Sequence, residues 1–184
     1  MVQEPQHIHE LHLSCHPLAF CHFFCSREQE AGMGLAGELE VEVDVKSPAD
    51  KFWRGISDST ELFPKIFPDQ YKSIESVEGD GKTVGSVRLI RYAQGIPMVT
   101  FVKEKIEAID ETNKSVGYSV IDGDLLSFYK TFKAKLQVTP KGEGALVKWA
   151  IVYEKANEEV PEPNLIVDSA VKTFAGLDEH LLKN

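Results

Sequence analysis

The stretch "SVEGDGKT" at residues 76–83 is similar to a loop that binds nucleotide phosphates. That loop has the pattern G-x-x-x-x-G-K-[ST]; Gly81, Lys82 and Thr83 fit its second half, whereas Ser76 stands where the first glycine is required. A phosphate-binding loop leads into a helix, but the β-branched, alternating run "KTVGSVRLIRY" predicts that this loop leads into a strand. Three neighbouring acidic side chains would also repel phosphate. We therefore predict a glycine-rich hairpin that binds no nucleotide.

Histidine and cysteine, which could bind a metal, are concentrated at the start of the chain. All three cysteines and five of the six histidines precede residue 32. The spacing Cys-x5-Cys-x3-Cys matches no common zinc pattern, so we predict no metal site. Residues 1–32 have neither strand nor helix periodicity, and we interpret them as a disordered extension. Alternatively, they are an artefact of a start codon assigned too far upstream. The domain at 33–184 has no cysteine and hence no disulfide, which fits a reducing compartment, and we expect the protein in the cytoplasm.

Length and charge exclude several functional classes. The 184 residues suit a single main domain. With 29 acidic and 20 basic residues the formal net charge is −9, which disfavours binding to nucleic acid or to anionic membranes. No apolar run approaches the roughly 20 residues that cross a bilayer. We predict no nucleic-acid partner, no stable membrane insertion and no cofactor.

The periodic segments that must position any site begin at residue 35. "ELEVEVDVK" alternates acidic and aliphatic residues and predicts a half-buried strand. "SPADKFWRGISD" and "STELFPKIFP" predict two short helices. Six further strands separated by turn-type residues follow, and they predict a seven-stranded antiparallel meander. The last segment of the chain is predicted to form a long helix, because one apolar stripe at helical spacing runs along it: Ile166, Ala170, Phe174, Leu177 and Leu181.

This order of elements resembles the Bet v 1-like, or START-like helix-grip, fold of the α+β class. The segment "ELFPKIFPDQYKSIESVEGDGKTVGS" is similar to the second helix, second strand and glycine-rich loop of that fold, which the pathogenesis-related-10 proteins share. The segment "KEKIEAIDETNKSVGYSVIDGDLLSFYKTFKAKLQVTPKGEGALVKWAIVYEKANEEVPEP" is similar to the plant major latex protein branch. The resemblance covers about residues 35–184. It implies a curved seven-stranded sheet wrapped around a long C-terminal helix, with two short helices after the first strand.

The resemblance also implies a function. Family members hold lipids, sterols, flavonoids or hormone-like compounds in an internal cavity, and the branch is associated with plant defence and stress responses. We therefore expect a non-catalytic carrier of hydrophobic small molecules that is a monomer or a weak dimer.

Alternation along the strands and the helical stripes assigns the side chains that point inward. In an ordinary protein they would be core, whereas the resemblance implies that they line a cavity. The predicted ligand-binding residues are Ile56, Arg88, Ile90, Tyr92, Val99, Phe101, Lys103, Val116, Tyr118, Val120, Phe132, Ala134, Leu136, Val147, Trp149, Ile166, Ala170 and Phe174.

Arg88 is the predicted site residue with the most distinctive chemistry. A buried guanidinium needs a partner, and a carboxylate or hydroxyl of the ligand could supply one. Alternatively, Arg88 reaches solvent or pairs with a buried acid. The strand register also stays open, since Val87, Leu89 and Arg91 could form the inner face instead.

A ribonuclease is one alternative function. Relatives have been proposed to use two glutamates and a tyrosine, and the matching positions here hold Phe128, Asp178 and His180. A phenylalanine cannot transfer protons, so we predict that this site is broken.

Two further alternatives are an alkaloid-forming enzyme and a hormone receptor. Alkaloid-forming relatives use a lysine with a glutamate and a tyrosine; Lys103, Lys130 and Tyr118 are candidates, but no glutamate is assigned to the inner face. The segment "AQGIPM" at 93–98 resembles the gate loop of abscisic acid receptors, whose His-Arg-Leu latch is replaced by "IDGDLL" at 121–126. We therefore favour the carrier over both.

Overall fold

The computed structural model describes residues 34–93 and 99–183. The predicted extension at 1–32 and most of the gate-like segment lie outside the described residues. The elements in chain order are β1 (Ala36–Val45), α1 (Ala49–Ser57), α2 (Ser59–Ile66), β2 (Tyr71–Glu78), β3 (Val87–Tyr92), β4 (Phe101–Asp110), β5 (Ser115–Gly123), a 3₁₀ turn (Asp124–Ser127), β6 (Tyr129–Lys141), β7 (Gly144–Lys155) and α3 (Asn164–Lys183).

The seven strands form one antiparallel sheet in the order β1-β7-β6-β5-β4-β3-β2. Strands β2 to β7 form the predicted meander, and the seven-stranded sheet with a long C-terminal helix is confirmed. The first strand is an exception to the meander: β1 pairs with β7, from Ala36 opposite Glu154 to Val45 opposite Ala145. Two helices separate β1 from β2, so the chain crosses to the other edge before the meander begins.

Register shifts interrupt the ladders between β2 and β3, between β4 and β5, and between β6 and β7. Such irregularities bend a strand and increase its twist. The sheet is therefore curved, and its concave face is the one that the helices cover.

Both halves of α3 are tied to the rest of the fold. Near its C-terminal end, Asp178 accepts hydrogen bonds from the backbone N–H groups of Lys46 and Ser47, at 3.0 and 2.8 Å. Helix α1 begins after Pro48 without a side-chain cap. Farther towards the N-terminal end of α3, Gln70 Nε2 donates to the hydroxyls of Ser169 and Thr173, at 2.8 and 2.9 Å. These contacts fix the helix over the concave face.

One part of that face is closely packed. Helix α1 packs against β6, β7 and α3. The residues we call the filled core have side chains that are at most 1% exposed: Phe52, Val138, Val147, Ile151 and Leu177. This region is an ordinary hydrophobic core.

Candidate functional site

The remaining part of the concave face is not filled. A cavity of about 720 Å³ lies between the sheet and the three helices, and most of the side chains that line it are apolar. Helix α3 contributes Ile166, Ala170 and Phe174 to its wall, so the apolar stripe of that helix faces the cavity there.

Most of the predicted site residues line this cavity. The structure brings together Ile56, Arg88, Ile90, Tyr92, Val99, Val116, Tyr118, Val120, Phe132, Leu136, Trp149, Ile166, Ala170 and Phe174. Their contact with a ligand stays a prediction. Their arrangement selects the first of the two registers considered for β3.

The inner face that we assigned to β4 is wrong. Phe101 and Lys103 do not line the cavity, and Lys103 Nζ instead pairs with Asp122 at 2.8 Å in a largely exposed ion pair. Val102 and Glu104 of this strand line the cavity. The predicted alternation starts at Val99, which precedes the strand and lies where the chain is not extended. The predicted inner face of β4 is therefore displaced by one residue.

Ala134 and Val147 lie on the inner face but not in the cavity wall. Both are buried in the hydrophobic core, at 6% and 0% exposure. Alternation distinguishes the two faces of a strand, but it does not indicate which stretch of a face another element covers.

Sequence reasoning missed several wall residues, including Tyr71 and Ile74 of β2 and Glu104 and Ile106 of β4. The alternation Val102, Glu104, Ile106 could have identified the β4 residues. In β2 a register shift follows Tyr71, which weakens the period-two signal.

Arg88 and Glu104 form an ion pair within the cavity wall. They lie opposite each other on neighbouring strands, and Arg88 Nη2 donates to Glu104 Oε1. Their side chains are 12% and 7% exposed. Arg88 Nη1 also donates to Ser59 Oγ at 3.3 Å, while its buried Nε–H finds no partner in the described part of the chain. The buried acid considered as an alternative partner for Arg88 is therefore present.

Three tyrosines surround this pair in the cavity wall. Burial raises the pKa of Tyr71 to about 12 and raises those of Tyr92 and Tyr118 well above the ordinary value, because the anion would be poorly solvated there. Trp149 Nε1 donates to the Tyr118 hydroxyl at 3.0 Å. All three hydroxyls therefore stay protonated at neutral pH and can donate hydrogen bonds.

The other charged residues of the wall lie at its rim and have partners there. Lys82 Nζ pairs with Asp58 at 2.6 Å, and Glu111 accepts a hydrogen bond from Trp53 Nε1 at 2.7 Å. Glu162 pairs with Lys155 at 2.7 Å.

The glycine-rich loop forms part of this rim. Gly79, Gly81 and Gly85 have φ angles of +70°, +74° and +89°, which glycine adopts without strain. Asp80 Oδ1 accepts hydrogen bonds from the backbone N–H groups of Lys82 and Thr83, and these bonds lower the pKa of Asp80 to about 2. The loop leads into a strand, as predicted, and its backbone donors bind this internal carboxylate.

The candidate catalytic groups are not assembled in the cavity. Lys130 pairs with Glu154 at 3.0 Å on an exposed part of the sheet, and Asp178 binds backbone N–H groups. Of the three positions compared with ribonuclease residues, Phe128 alone contributes to the cavity wall. The loop at 121–126, which we compared with the receptor latch, is hydrogen-bonded to the residue before β4. Asp124 accepts a hydrogen bond from the Thr100 N–H at 2.7 Å.

Within residues 34–93 and 99–183, no group of three or more His, Cys, Asp or Glu side chains could hold a metal ion. In the same ranges, no helix has both the length and the apolar composition to span a bilayer.

Comparison with known proteins identifies relatives over the described domain. The family model "Pathogenesis-related protein Bet v 1 family" matches residues 34–184. MLP-like protein 423 of Arabidopsis thaliana is 52% identical over 151 residues, which cover 82% of this chain and 97% of that protein. Major latex protein 146 of Papaver somniferum is 41% identical over 133 residues, which cover 71% and 81% of the two chains.

Solved structures also resemble the fold. Ginseng major latex-like protein 151 from Panax ginseng superposes with a TM-score of 0.75 and 34% identity, over 81% of this chain and 99% of that one. Norcoclaurine synthase from Thalictrum flavum superposes with a TM-score of 0.68 over 81% and 88% of the two chains. At 20% identity, this second likeness concerns the fold alone.

Proposed function

The chain belongs to the pathogenesis-related Bet v 1 family, in its major latex protein branch, and on that premise we propose that it binds and carries hydrophobic small molecules without transforming them. Lipids, sterols, flavonoids and hormone-like compounds are the classes that fit. We also propose a role in plant defence and stress responses, in keeping with the family description.

The observation that carries this proposal is the size and lining of the cavity. Protein interiors are normally packed as densely as organic crystals, with few voids larger than a water molecule. A space of about 720 Å³ with a mostly apolar wall is far larger than such voids and lies within the range of small-molecule sites. An apolar ligand would gain roughly 25 cal/mol for each Å² of apolar surface that it removes from water.

The positions of the lysines support a carrier over a cavity enzyme. An alkaloid-forming mechanism would place a lysine beside the substrate, whereas Lys103 and Lys130 both lie in ion pairs outside the wall. The raised pKa values of the wall tyrosines make them poor bases at neutral pH. Glu104, the buried carboxylate of the wall, is engaged by Arg88.

The remaining parts of the proposal concern partners and location. A net charge of −9 disfavours nucleic acid as a partner. The absence of cysteine from residues 33–184 suits the reducing cytoplasm. We propose that the carrier acts there as a monomer or a weak dimer.

A matched pair of substitutions on α3 tests the proposal. Ala170 faces the cavity and Ala175 faces solvent on the same helix. We expect the neutral fluorescent probe N-phenyl-1-naphthylamine to bind the unmodified protein, Ala170→Trp to weaken binding at least about tenfold by filling the space, and Ala175→Trp to leave it unchanged. Fluorescence titration measures the affinities, and circular dichroism checks that both variants fold. Lack of probe binding to the unmodified protein, or equal effects of the two variants, would contradict the proposal.

A further inference from the structure

Away from its rim, the described part of the cavity wall contains one cation and one anion, and they neutralise each other. Among the described wall residues, Arg88 and Glu104 are the charged side chains that are largely buried, and they form an ion pair. We propose that the cavity selects neutral ligands that carry a hydroxyl group and discriminates against carboxylates. This inference rests on the proposed function, since it concerns the same cavity.

The charge balance disfavours an acidic ligand. A carboxylate that reached Arg88 would lie within a few ångströms of Glu104, because the guanidinium is already bonded to that side chain. Two like charges in a poorly solvated site destabilise each other, so either the ligand or Glu104 would have to take up a proton. Among the described residues, the rim adds two glutamates and one lysine, so these offer no net positive charge to compensate.

The hydrogen-bonding groups of the wall favour a hydroxyl. Within the described ranges no protein donor bonds Glu104 Oε2, and this oxygen can accept from a ligand O–H. The Tyr118 hydroxyl already accepts from Trp149, which leaves its own hydrogen free to donate. A ligand hydroxyl can therefore donate to Glu104 and accept from a tyrosine at the same time.

The rest of the wall defines the rest of the ligand. Ile90, Val116, Phe132, Leu136 and Phe174 present apolar surface. The expected ligand is thus an uncharged amphiphile with an apolar body and one hydroxylated end.

The test compares ligands that share a chain and differ at one end. Decanol, methyl decanoate and decanoate compete with bound N-phenyl-1-naphthylamine at neutral pH. We expect decanol to displace the probe at the lowest concentration, the ester at a higher one, and decanoate at a concentration at least about tenfold above that of decanol. Equal or tighter binding of decanoate would overturn the inference, while binding of the probe itself would leave the proposed function standing. If the probe and all three ligands fail to bind, the proposed function fails.

A nearly isosteric variant tests whether the ion pair sets the preference. Glu104→Gln leaves Arg88 without its anionic partner, so we expect decanoate to bind roughly tenfold more tightly than it binds the unmodified protein. The affinity of the probe is measured again on this variant, so that each displacement is referred to the same protein, and circular dichroism checks that the variant folds. An unaltered preference for decanol in a folded Glu104→Gln variant would show that the pair has no such role.

A measurement on the unmodified protein covers the case in which that variant does not fold. The carboxyl carbon of isotope-labelled decanoate reports its ionisation by nuclear magnetic resonance. We expect the pKa of decanoate in the cavity to lie above its value in water, or decanoate not to bind at all. A bound pKa at or below the free value would overturn the inference.

Discussion

The filled core and the cavity lie side by side on one concave face, and they are built from the same kinds of residues. Along β7, Val147 and Ile151 belong to the filled core, whereas Trp149 between them reaches the cavity wall. Helix α3 divides in the same way: Leu177 is fully buried, while Ile166 and Ala170 face the cavity. The comparison teaches that an inward-facing apolar residue contributes to packing or to binding according to what lies opposite it.

The largest expected loss of stability comes from replacing isoleucine with alanine, once in the filled core and once beside the cavity. Ile151 is fully buried in the filled core, and Ile90 borders the cavity. We expect Ile151→Ala to lower the free energy of unfolding by about 2–5 kcal/mol and Ile90→Ala by only about 1–2 kcal/mol, because Ile90 already lacks neighbours on one side. Urea denaturation measures both. Equal losses would mean that the cavity is closed in solution.

An effect of intermediate size is expected on the stability of the fold at alkaline pH, where a buried tyrosine of the cavity wall titrates. Burial raises the pKa of Tyr71 from 10.0 to about 12, so the folded state retains its proton where the unfolded state loses it. Stability from this group is present below about pH 10 and declines as the pH rises to about 12. We expect Tyr71→Phe to reduce that decline by roughly 1–3 kcal/mol.

Denaturation at a series of pH values, with tyrosinate absorbance followed in parallel, checks this expectation. If the unmodified protein and Tyr71→Phe have the same pH profile, Tyr71 titrates like an exposed tyrosine and this end of the cavity is open to water.

The smallest effect is expected at the rim. The ion pair between Lys82 and Asp58 is about half exposed on both sides. Solvent screens such pairs, so we expect Lys82→Ala to change the free energy of unfolding by less than about 1 kcal/mol. Thermal unfolding measures this change. Calorimetry with ATP and magnesium is expected to detect no binding before or after the substitution, and micromolar binding abolished by Lys82→Ala would restore the phosphate-loop interpretation.

Local patterns were sufficient to predict much of the site. Alternation along "VRLIRY" placed Arg88, Ile90 and Tyr92 together on one of two possible inner faces, and the stripe of α3 included Phe174; all four lie in the wall. Errors arose where the local pattern was interrupted. The assignment of β4 failed because the residues just before this strand are not extended, and β2 gave no assignment because a register shift disrupts its alternation.

The partner of Arg88 could not be predicted in the same way. Glu104 lies 16 residues away and faces Arg88 only because β3 and β4 pair in one particular register. A shift of one residue would turn Glu104 to the opposite face, and the hydrophobic pattern on both strands selects against that shift. The sequence identified a cation that needed a partner, whereas the strand pairing decided that the protein supplies it.

By itself the sequence determined the elements, their order, the inner face of most strands and the strand that follows the glycine-rich loop. These features depend on backbone periodicity and turn residues, which act over a few neighbouring positions. Only the tertiary structure decided that β1 pairs with β7, that Arg88 is neutralised, and where the filled core ends and the cavity begins. The first two features depend on which strands pair and in which register. The boundary of the cavity depends on the distance at which Asp178 and Gln70 hold α3 from the sheet. All three are set by contacts between residues far apart in the chain.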